Sequence, residues 1–290
     1  MMKQIICITG PTASGKSAFA VNLAKKQDGE IINTDALQVY SHLRVLSARP
    51  NTVEMDGIPH HLFGHIHPKE RYSTGKWLKD ADTLIIDILA RGKKPILVGG
   101  TGLYFKALTE GLAQIPALSE GAMDKAQSIL DNDGIATLRQ EAERLDPLAS
   151  GRILGDDPQR LLRIVSVAIG TGKPISRWQQ DTRPILPKDV WKGMVLLPQR
   201  ERLYDKVNAR FGDMIREGGL AEARTVLALN LDENVPAMKA IGLRELGAYL
   251  GGETSLDEAI ELAMRQTRRF AKRQYTWLRG NMDAWEHIAI

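Results

Sequence analysis

The chain reads as an α/β protein, a parallel sheet flanked by helices, with a helical domain inserted into it. Three observations lead there. Over residues 1–112, apolar strand-like runs alternate with helix-like stretches, the pattern of strand–helix–strand units. Each apolar run ends in residues suited to a loop: Gly10–Ser17, Asp35, and Gly99-Gly100-Thr101-Gly102. From Pro116 the alternation stops, and residues 120–170 carry only helical patterning.

The elements follow in order. Short apolar runs predict strands at Gln4–Thr9, Glu30–Thr34 and Pro95–Gly99, with helices at Lys16–Lys26, Ser73–Arg91 and Gly102–Glu110. Helices are expected next at Ala122–Asp131, Ile135–Arg144 and Pro158–Gly170, with Asp146-Pro147 and Asp157-Pro158 supplying helix starts. A stretch rich in turn formers, Thr171 to Lys188, leads to a returning strand at Trp191–Leu197. Long helices follow over Arg200–Leu229, and an amphipathic one over Leu256–Leu278. The expected division is a core of residues 1–112 and 190–290, with 113–189 as the helical insertion.

Composition narrows the class. With 290 residues, 43% hydrophobic and 26% charged, the chain has the make-up of a globular protein with a sizeable core. The single cysteine, Cys7, excludes an intrachain disulfide and a cysteine-based zinc site, and reads as a small buried apolar residue. No signal-peptide pattern and no membrane-spanning run are present, so a cytoplasmic protein without a membrane partner is expected. The net charge of +4 is mild, but its distribution is uneven. Arg265, Arg268, Arg269, Lys272, Arg273 and Arg279 fall in one stretch with no acidic residue, interleaved with Phe270, Tyr275 and Trp277. Arg152, Arg160, Arg163, Lys173 and Arg177 form a second group. Either is a solvated helix face or a surface for a polyanion, and six cations without a counter-charge favour the polyanion.

Gly10-Pro11-Thr12-Ala13-Ser14-Gly15-Lys16-Ser17 is a complete G-x-x-x-x-G-K-S phosphate-binding loop between a strand and a helix. Its glycines let the backbone turn successive N–H groups toward phosphate oxygens, and the helix N-terminus adds its dipole. Lys16 is expected to bridge phosphates and the Ser17 hydroxyl to hold Mg²⁺, which makes the expected core P-loop NTPase-like. Asp35, at a strand end beside this loop, has three readings: Mg²⁺ ligand, general base, or helix N-cap. The strand Ile96-Leu97-Val98 ends in Gly-Gly-Thr, where a P-loop kinase or ATPase commonly places a Mg²⁺-holding Asp. Asp87 follows an apolar run but lies inside a helical stretch, so it does not replace that acid. The gap argues against an ordinary ATP hydrolase or kinase. His60 and His61 are adjacent, point apart, and read as polar caps in a turn rather than as a metal pair. His65 and His67 alternate as on a strand face but lack a third ligand.

The order of GPTASGKS, DALQVY at 35–40, ARP at 48–50, PHHL at 59–62, ILVGGTGLYFKAL at 96–108, DPQRLLR at 157–163, TGKP at 171–174 and RRFAKRQYTWLR at 268–279 resembles the tRNA dimethylallyltransferases, also called tRNA isopentenyltransferases or the IPP transferase family. The likeness runs from Ile5 to Arg279, and its bacterial type is indicated by the absence of a cysteine-built zinc finger. It implies transfer of a dimethylallyl group from dimethylallyl diphosphate to N6 of the adenosine 3′ to the anticodon, in tRNAs reading codons that begin with U. The phosphate loop, Gly10 through Ser17 with Thr12 and Lys16, then holds the donor's diphosphate with Mg²⁺ on Ser17, and Asp35 takes the amine proton. Arg210 matches a donor-contacting arginine, and Thr12 and Thr101 match pocket-lining positions. The anticodon stem-loop is implied as the partner of Asp35, Ala36, Leu37, Gln38, Thr101, Gln159, Arg160, Leu161, Leu162, Arg163, Lys239 and Arg244, and of the basic tail with Arg268, Arg269 and Lys272. Met123 stands where the family usually has a tRNA-contacting arginine, and VLSARP replaces the usual IGTAKP while keeping a basic residue, Arg49, and Pro50. A monomer is expected. The alternatives are an adenylate isopentenyltransferase, which needs neither insertion nor basic tail, and a P-loop kinase of a small metabolite.

Overall fold

The computed structural model describes residues 4–289. In chain order its elements are β1 (Ile5–Thr9), α1 (Lys16–Gln27), β2 (Gly29–Asn33), α2 (Thr52–Met55), β3 (His60–His61), α3 (Thr74–Ala90), β4 (Lys94–Gly99) and α4 (Gly102–Thr109). Then come α5 (Glu120–Leu145), α6 (Pro147–Ser150), α7 (Pro158–Thr171) and α8 (Ile175–Trp178), and after them β5 (Trp191–Leu196), α9 (Arg200–Arg216), α10 (Gly219–Leu227), α11 (Leu243–Leu250), α12 (Leu256–Asn281) and β6 (Glu286–Ile288). The strands form one sheet in the order β3-β2-β4-β1-β5-β6, and every pairing is parallel.

A parallel sheet covered on both faces needs strands that are buried along their length and mostly apolar, and β1, β2 and β4 are buried in this way, with Ile31 and Ile32 central in β2 and Pro95–Val98 in β4. Ile6 and Ile8 of β1, Ile31, Ile96, Val98, Met194 and Leu196 share one face and pack with Ala20, Val21 and Ala24 of α1. The opposite face carries Cys7, fully buried, its thiol pushed up by that burial and so inert, as the sequence suggested. Trp77 of α3, also fully buried, donates its indole N–H to the Asn33 carbonyl at 2.8 Å, and its ring stacks on Tyr104 of α4 at 4.2 Å.

The chain divides into two compact units, residues 1–109 with 186–290, and residues 110–185. The second is helical. Its longest span, α5, is broken at Gly134, whose φ of 82° leaves the helical region, so it is two helices meeting at a kink, as expected. Asp146 and Asp157 cap α6 and α7 as expected, each accepting a backbone N–H three residues on, with proline at the first helical position. Ala126, Leu138, Ala142, Ala149, Leu161, Ile164 and Val165 make this unit's core.

Two expectations at the sheet's edge are corrected. His60 and His61 are not turn caps; they form the short strand β3 against Ile31 and Ile32. His65 and His67 do not share a strand but flank Ile66, which makes a single bridge to Tyr40. Strands β3 and β6 went unread because two or three residues carry no periodicity. His61 serves the structure: its Nε2 lies 2.7 Å from Oε2 of Glu30, a carboxylate only 6% exposed and also held by the guanidinium of Arg91. The hydrogen bonds from Arg91, followed by that from His61, hold the Glu30 carboxyl at about 2, against an ordinary 4.5. The lowered value means stabilisation that is complete above pH 4.5 and lost as pH falls toward 2. That shift corresponds to about 3 kcal/mol. Urea unfolding of Glu30→Gln at pH 7 should therefore show a loss of about 2–3 kcal/mol. The gap to the unsubstituted protein should narrow by about 1.4 kcal/mol per pH unit below 4.5; a gap that stays constant with pH would remove the charge-based account.

Candidate active site

Strands β2, β4 and β1 are neighbours and parallel, so the loops that follow them leave the same edge of the sheet side by side. They enclose a cavity of about 360 Å³ lined by Thr12, Ala13, Lys16 and Ser17 from the first loop, Asp35, Ala36, Leu37 and Gln38 from the second, and Thr101 from the third.

The first loop is shaped by its backbone. Ala13 and Gly15 take left-handed conformations, φ 62° and 81°, and this alternation makes a concavity of N–H groups at the start of α1. Gly10 is required because a Cβ there would lie 2.6 Å from Ser14 Oγ and 2.7 Å from the Leu196 carbonyl. Ser14 is itself 2% exposed, its hydroxyl turned inward without a hydrogen-bond partner and its N–H donated to the Pro11 carbonyl at 3.2 Å, so it shapes the loop from within. Lys16 bonds back to the Pro11 carbonyl at 3.2 Å. Burial pushes its ammonium down to about 8, with Asp35 opposing that shift and Arg210 adding to it. An anion in this cavity would thus meet a lysine short of counter-charge.

Asp35 lies two residues beyond the end of β2. Its Oδ1 accepts the N–H groups of Leu37 at 2.9 Å and Gln38 at 3.3 Å, while Asn33 Oδ1 accepts the Asp35 N–H at 3.0 Å. No helix follows, so the N-cap reading is corrected: the carboxylate closes a turn with one oxygen, which leaves Oδ2 as its other acceptor. Thr101 fastens this turn from the third loop: its N–H reaches the Thr34 carbonyl at 3.2 Å, and its hydroxyl accepts the Ala36 N–H at 3.0 Å.

Two further residues reach in. Arg210 of α9 donates to the Ala48 carbonyl at 3.4 Å, and its guanidinium is pushed below its usual range by burial, with Glu54, Asp35 and Glu217 opposing. The Gln38 amide donates to the carbonyls of Ser47 and Ala48, both at 3.0 Å, so its nitrogen braces the chain and is not free for an outside ligand. Loop 44–48 is held in turn by Glu222 of α10, whose carboxylate accepts the N–H groups of Arg44, Val45 and Leu46 at 2.8 Å each. Apolar side chains make up much of the rest of the cavity wall, with Leu46, Val207, Phe211, Met214, Ile241 and Phe270, joined by the polar Ser47, Lys239, Thr267 and Gln274.

The residues expected to meet a polyanion are sorted by exposure. Gln159, Arg160, Arg163, Lys239, Arg244, Arg269 and Lys272 are exposed, and Lys239 also lines the cavity. Arg160 is paired with Asp157 at 3.3 Å. Met123 of α5 is 54% exposed. Leu161 is corrected: it is fully buried in the helical unit's core, so its side chain packs the helix that presents its neighbours, and Leu162 is half-buried against the same core. Arg268 is half-buried and donates to Asn208 Oδ1 at 2.6 Å.

Sequence reasoning missed Gln274. It is 9% exposed on the inner face of α12, where its Oε1 accepts the Thr12 N–H at 2.9 Å and its Nε2 donates to the Gly100 carbonyl at 3.0 Å. The available signal was a glutamine in the stripe Ala259, Ala263, Ala271, Leu278, which is otherwise apolar.

Among the described residues no group of three or more His, Cys, Asp or Glu is arranged to hold a metal ion. The exposed Ser17 hydroxyl and the Asp35 carboxylate do share the cavity. Such a sparse oxygen set suits Mg²⁺, which takes one or two protein ligands and completes its shell with water and phosphate oxygens.

Comparison with known proteins completes the assignment. The family model described as IPP transferase matches residues 38–281, and one described as isopentenyl transferase matches residues 3–63. A tRNA dimethylallyltransferase of Maricaulis maris is 48% identical over 287 residues, covering 99% of this chain and 93% of that protein. One of Rhizobium etli is 44% identical, covering 99% and 98%. Among solved structures, the tRNA isopentenylpyrophosphate transferase of Bacillus halodurans superposes with a TM-score of 0.70 at 32% identity, over 99% of this chain and 90% of that one. A eukaryotic dimethylallyltransferase acting on tRNA gives 0.83 at 26% identity, over 99% and 74%. By the extent of these matches, the chain belongs to the IPP transferase family, the family of its tRNA dimethylallyltransferase relatives.

Proposed function

We propose that the chain is a tRNA dimethylallyltransferase, moving a dimethylallyl group from dimethylallyl diphosphate to N6 of the adenosine 3′ to the anticodon. It acts on tRNAs that read codons beginning with U, as a monomer in the cytoplasm. The observation that carries the reading is the composition of one cavity: phosphate-binding N–H groups and Lys16 at one part of the wall, a carboxylate beside them, and apolar side chains over much of the rest. A diphosphate joined to a short branched hydrocarbon matches both parts. Among the described residues no helix is long and apolar enough to cross a membrane.

The chemistry follows from the parts. The adenine amine is a weak nucleophile, because its lone pair is delocalised into the ring. The allylic donor compensates by ionising readily. The N6–C1 bond forms, the C1–O bond breaks, and the electron pair leaves with the diphosphate. Loop N–H groups, Lys16 and Arg210 stabilise that departing charge. Mg²⁺ held by the Ser17 hydroxyl together with diphosphate oxygens would supply further neutralisation there. As the new bond forms, the amine becomes acidic, and Asp35 Oδ2, the oxygen not engaged by Leu37 and Gln38, takes its proton. The target base leaves its stack to reach the site. Ala36, Leu37, Gln38, Thr101, Lys239 and Arg244, the helical unit's Met123, Gln159, Arg160 and Arg163, and the exposed Arg269 and Lys272 are proposed to meet the anticodon stem-loop.

Label from dimethylallyl diphosphate should enter unmodified tRNA at one adenine in the presence of Mg²⁺. Label entering AMP alone, or ATP turnover without transfer, refutes the reading. Asp35→Asn keeps the Oδ1 acceptor that closes the turn, so it should bind tRNA normally yet lose roughly 10²–10⁴-fold in transfer rate. A variant rate near wild type removes Asp35 as the base.

With Lys16 at about 8 in the free protein, anion binding restores its proton. Pyrophosphate affinity, relative to Lys16→Met, should be level below pH 8 and fall by up to about tenfold per unit above it; a ratio flat through pH 9 contradicts this. Neutralising Arg269 and Lys272 together should reduce the salt slope of tRNA binding by about 2. Arg268→Gln, already engaged with Asn208, should not; an unchanged slope in the double variant returns this face to solvent.

A further inference from the structure

We propose that Gln274 is a positioning residue for the transfer: its side-chain amide sets the spacing between the phosphate loop and the Asp35 turn. The inference rests on reading those two loops as the sites of the diphosphate and of the base.

The sheet alone does not set this spacing. The β1–β4 ladder ends at Thr9 against Gly99, and the β2–β4 ladder at Asn33 against Val98. Thr12, Gly100 and Asp35 all lie beyond those last rungs. Gln274 spans the gap: one end of its amide accepts the Thr12 N–H at 2.9 Å, and the other donates to the Gly100 carbonyl at 3.0 Å. From Gly100 the chain passes to Thr101, which bonds to Thr34 and Ala36, the two residues flanking Asp35. A continuous series of hydrogen bonds thus runs from the diphosphate loop to the proton acceptor.

The residue type is set by its partners. A backbone N–H and a backbone C=O must be met by an acceptor and a donor on one short planar group, and a primary amide provides both. Asparagine is one methylene shorter. A glutamate anion would accept from Thr12 but turn an oxygen toward the Gly100 carbonyl, whereas a protonated glutamic acid restores both bonds. Gly100 conforms to the arrangement, since a Cβ there would lie 2.4 Å from the amide nitrogen. Reacting groups held near attack distance are sensitive to displacements of about 1 Å, which cost roughly 10²-fold. Loss of Gln274 should accordingly appear in the chemical step.

The test compares Gln274→Met and Gln274→Glu with wild type by single-turnover transfer of labelled dimethylallyl groups to tRNA, with tRNA affinity and thermal melting measured alongside. Gln274→Met should lose about 10–100-fold in transfer rate while tRNA affinity stays within twofold. Gln274→Glu should match it at pH 8.5 and recover to within about threefold of wild type at pH 6, where the carboxyl takes up the proton that rebuilds the Gly100 bond. A merely structural role does not give that pH-dependent rescue. A Gln274→Met rate within twofold of wild type overturns the proposal, and so does a Gln274→Glu rate that stays as low at pH 6 as at pH 8.5. If Gln274→Met fails to melt cooperatively, the pH comparison on Gln274→Glu decides. If wild type itself transfers no label, the functional reading fails, and pyrophosphate binding decides the role of Gln274: unchanged affinity in Gln274→Glu at pH 8.5 overturns it, and a loss of fivefold or more upholds it.

Discussion

Close approach of backbone to backbone at the sheet's carboxyl edge is the constraint on which the rest of the structure depends. Gly99 ends β4 with the Thr34 carbonyl so near that a Cβ would lie 2.0 Å from its oxygen. Gly102 faces the Trp277 ring at the same distance, and Gly100 faces Gln274. Side chains at these positions would force the loops apart. Their absence lets the second and third loops exchange the Thr101 hydrogen bonds that fasten the Asp35 turn. The same crowding explains why no acid ends β4. A carboxylate at Gly99 would need the space that the Thr34 carbonyl fills, so the position used by kinases and ATPases for a Mg²⁺-holding Asp is closed on steric grounds.

Electrostatics then follow from what the loops enclose. Lys16 and Arg210 both have their protonated forms disfavoured by burial, and the Asp35 carboxylate offsets part of that cost for each. With Lys239, three cations and one carboxylate line the cavity, a surplus of positive charge that a diphosphate would offset. Placing these cations next to Asp35 would also limit repulsion between a bound anion and its carboxylate. A bound anion, rather than a further protein group, would then complete the charge balance in the cavity, which is the condition for binding an anion beside a carboxylate.

Much of this was legible in the sequence because the relevant signals are local. The phosphate loop is a contiguous motif. Strands β1, β2 and β4 announce themselves as short apolar runs, and Asp146 and Asp157 as caps before proline. What could not be read depends on tertiary neighbours. Glu222 looks like any helical surface glutamate until its carboxylate is found collecting three N–H groups from loop 44–48. Arg268 belongs to a run of cations, and only the adjacent α9 distinguishes it from Arg269 by supplying Asn208. Leu161 lies in a motif with exposed neighbours, yet helical geometry turns it inward while Arg160 and Arg163 face out.

Helix α12 shows why the basic run and the catalytic loops belong to one account. Its composition suggested a surface for a polyanion, and Arg269 and Lys272 remain exposed on it. Its inner face carries Gln274 onto the phosphate loop and Trp277 onto Gly102, so the helix also forms part of the wall of the cavity. Gln274 lies five residues beyond Arg269, a displacement of about 7.5 Å along a helix. A polyanion backbone bound at that outer face, as proposed for tRNA, would be registered against the phosphate loop by a single helix. Arg269, Lys272 and Gln274 all lie on the one helix Leu256–Asn281, with no loop between them. That continuity gives a physical reason for a glutamine to lie buried within a helix whose outer face is basic.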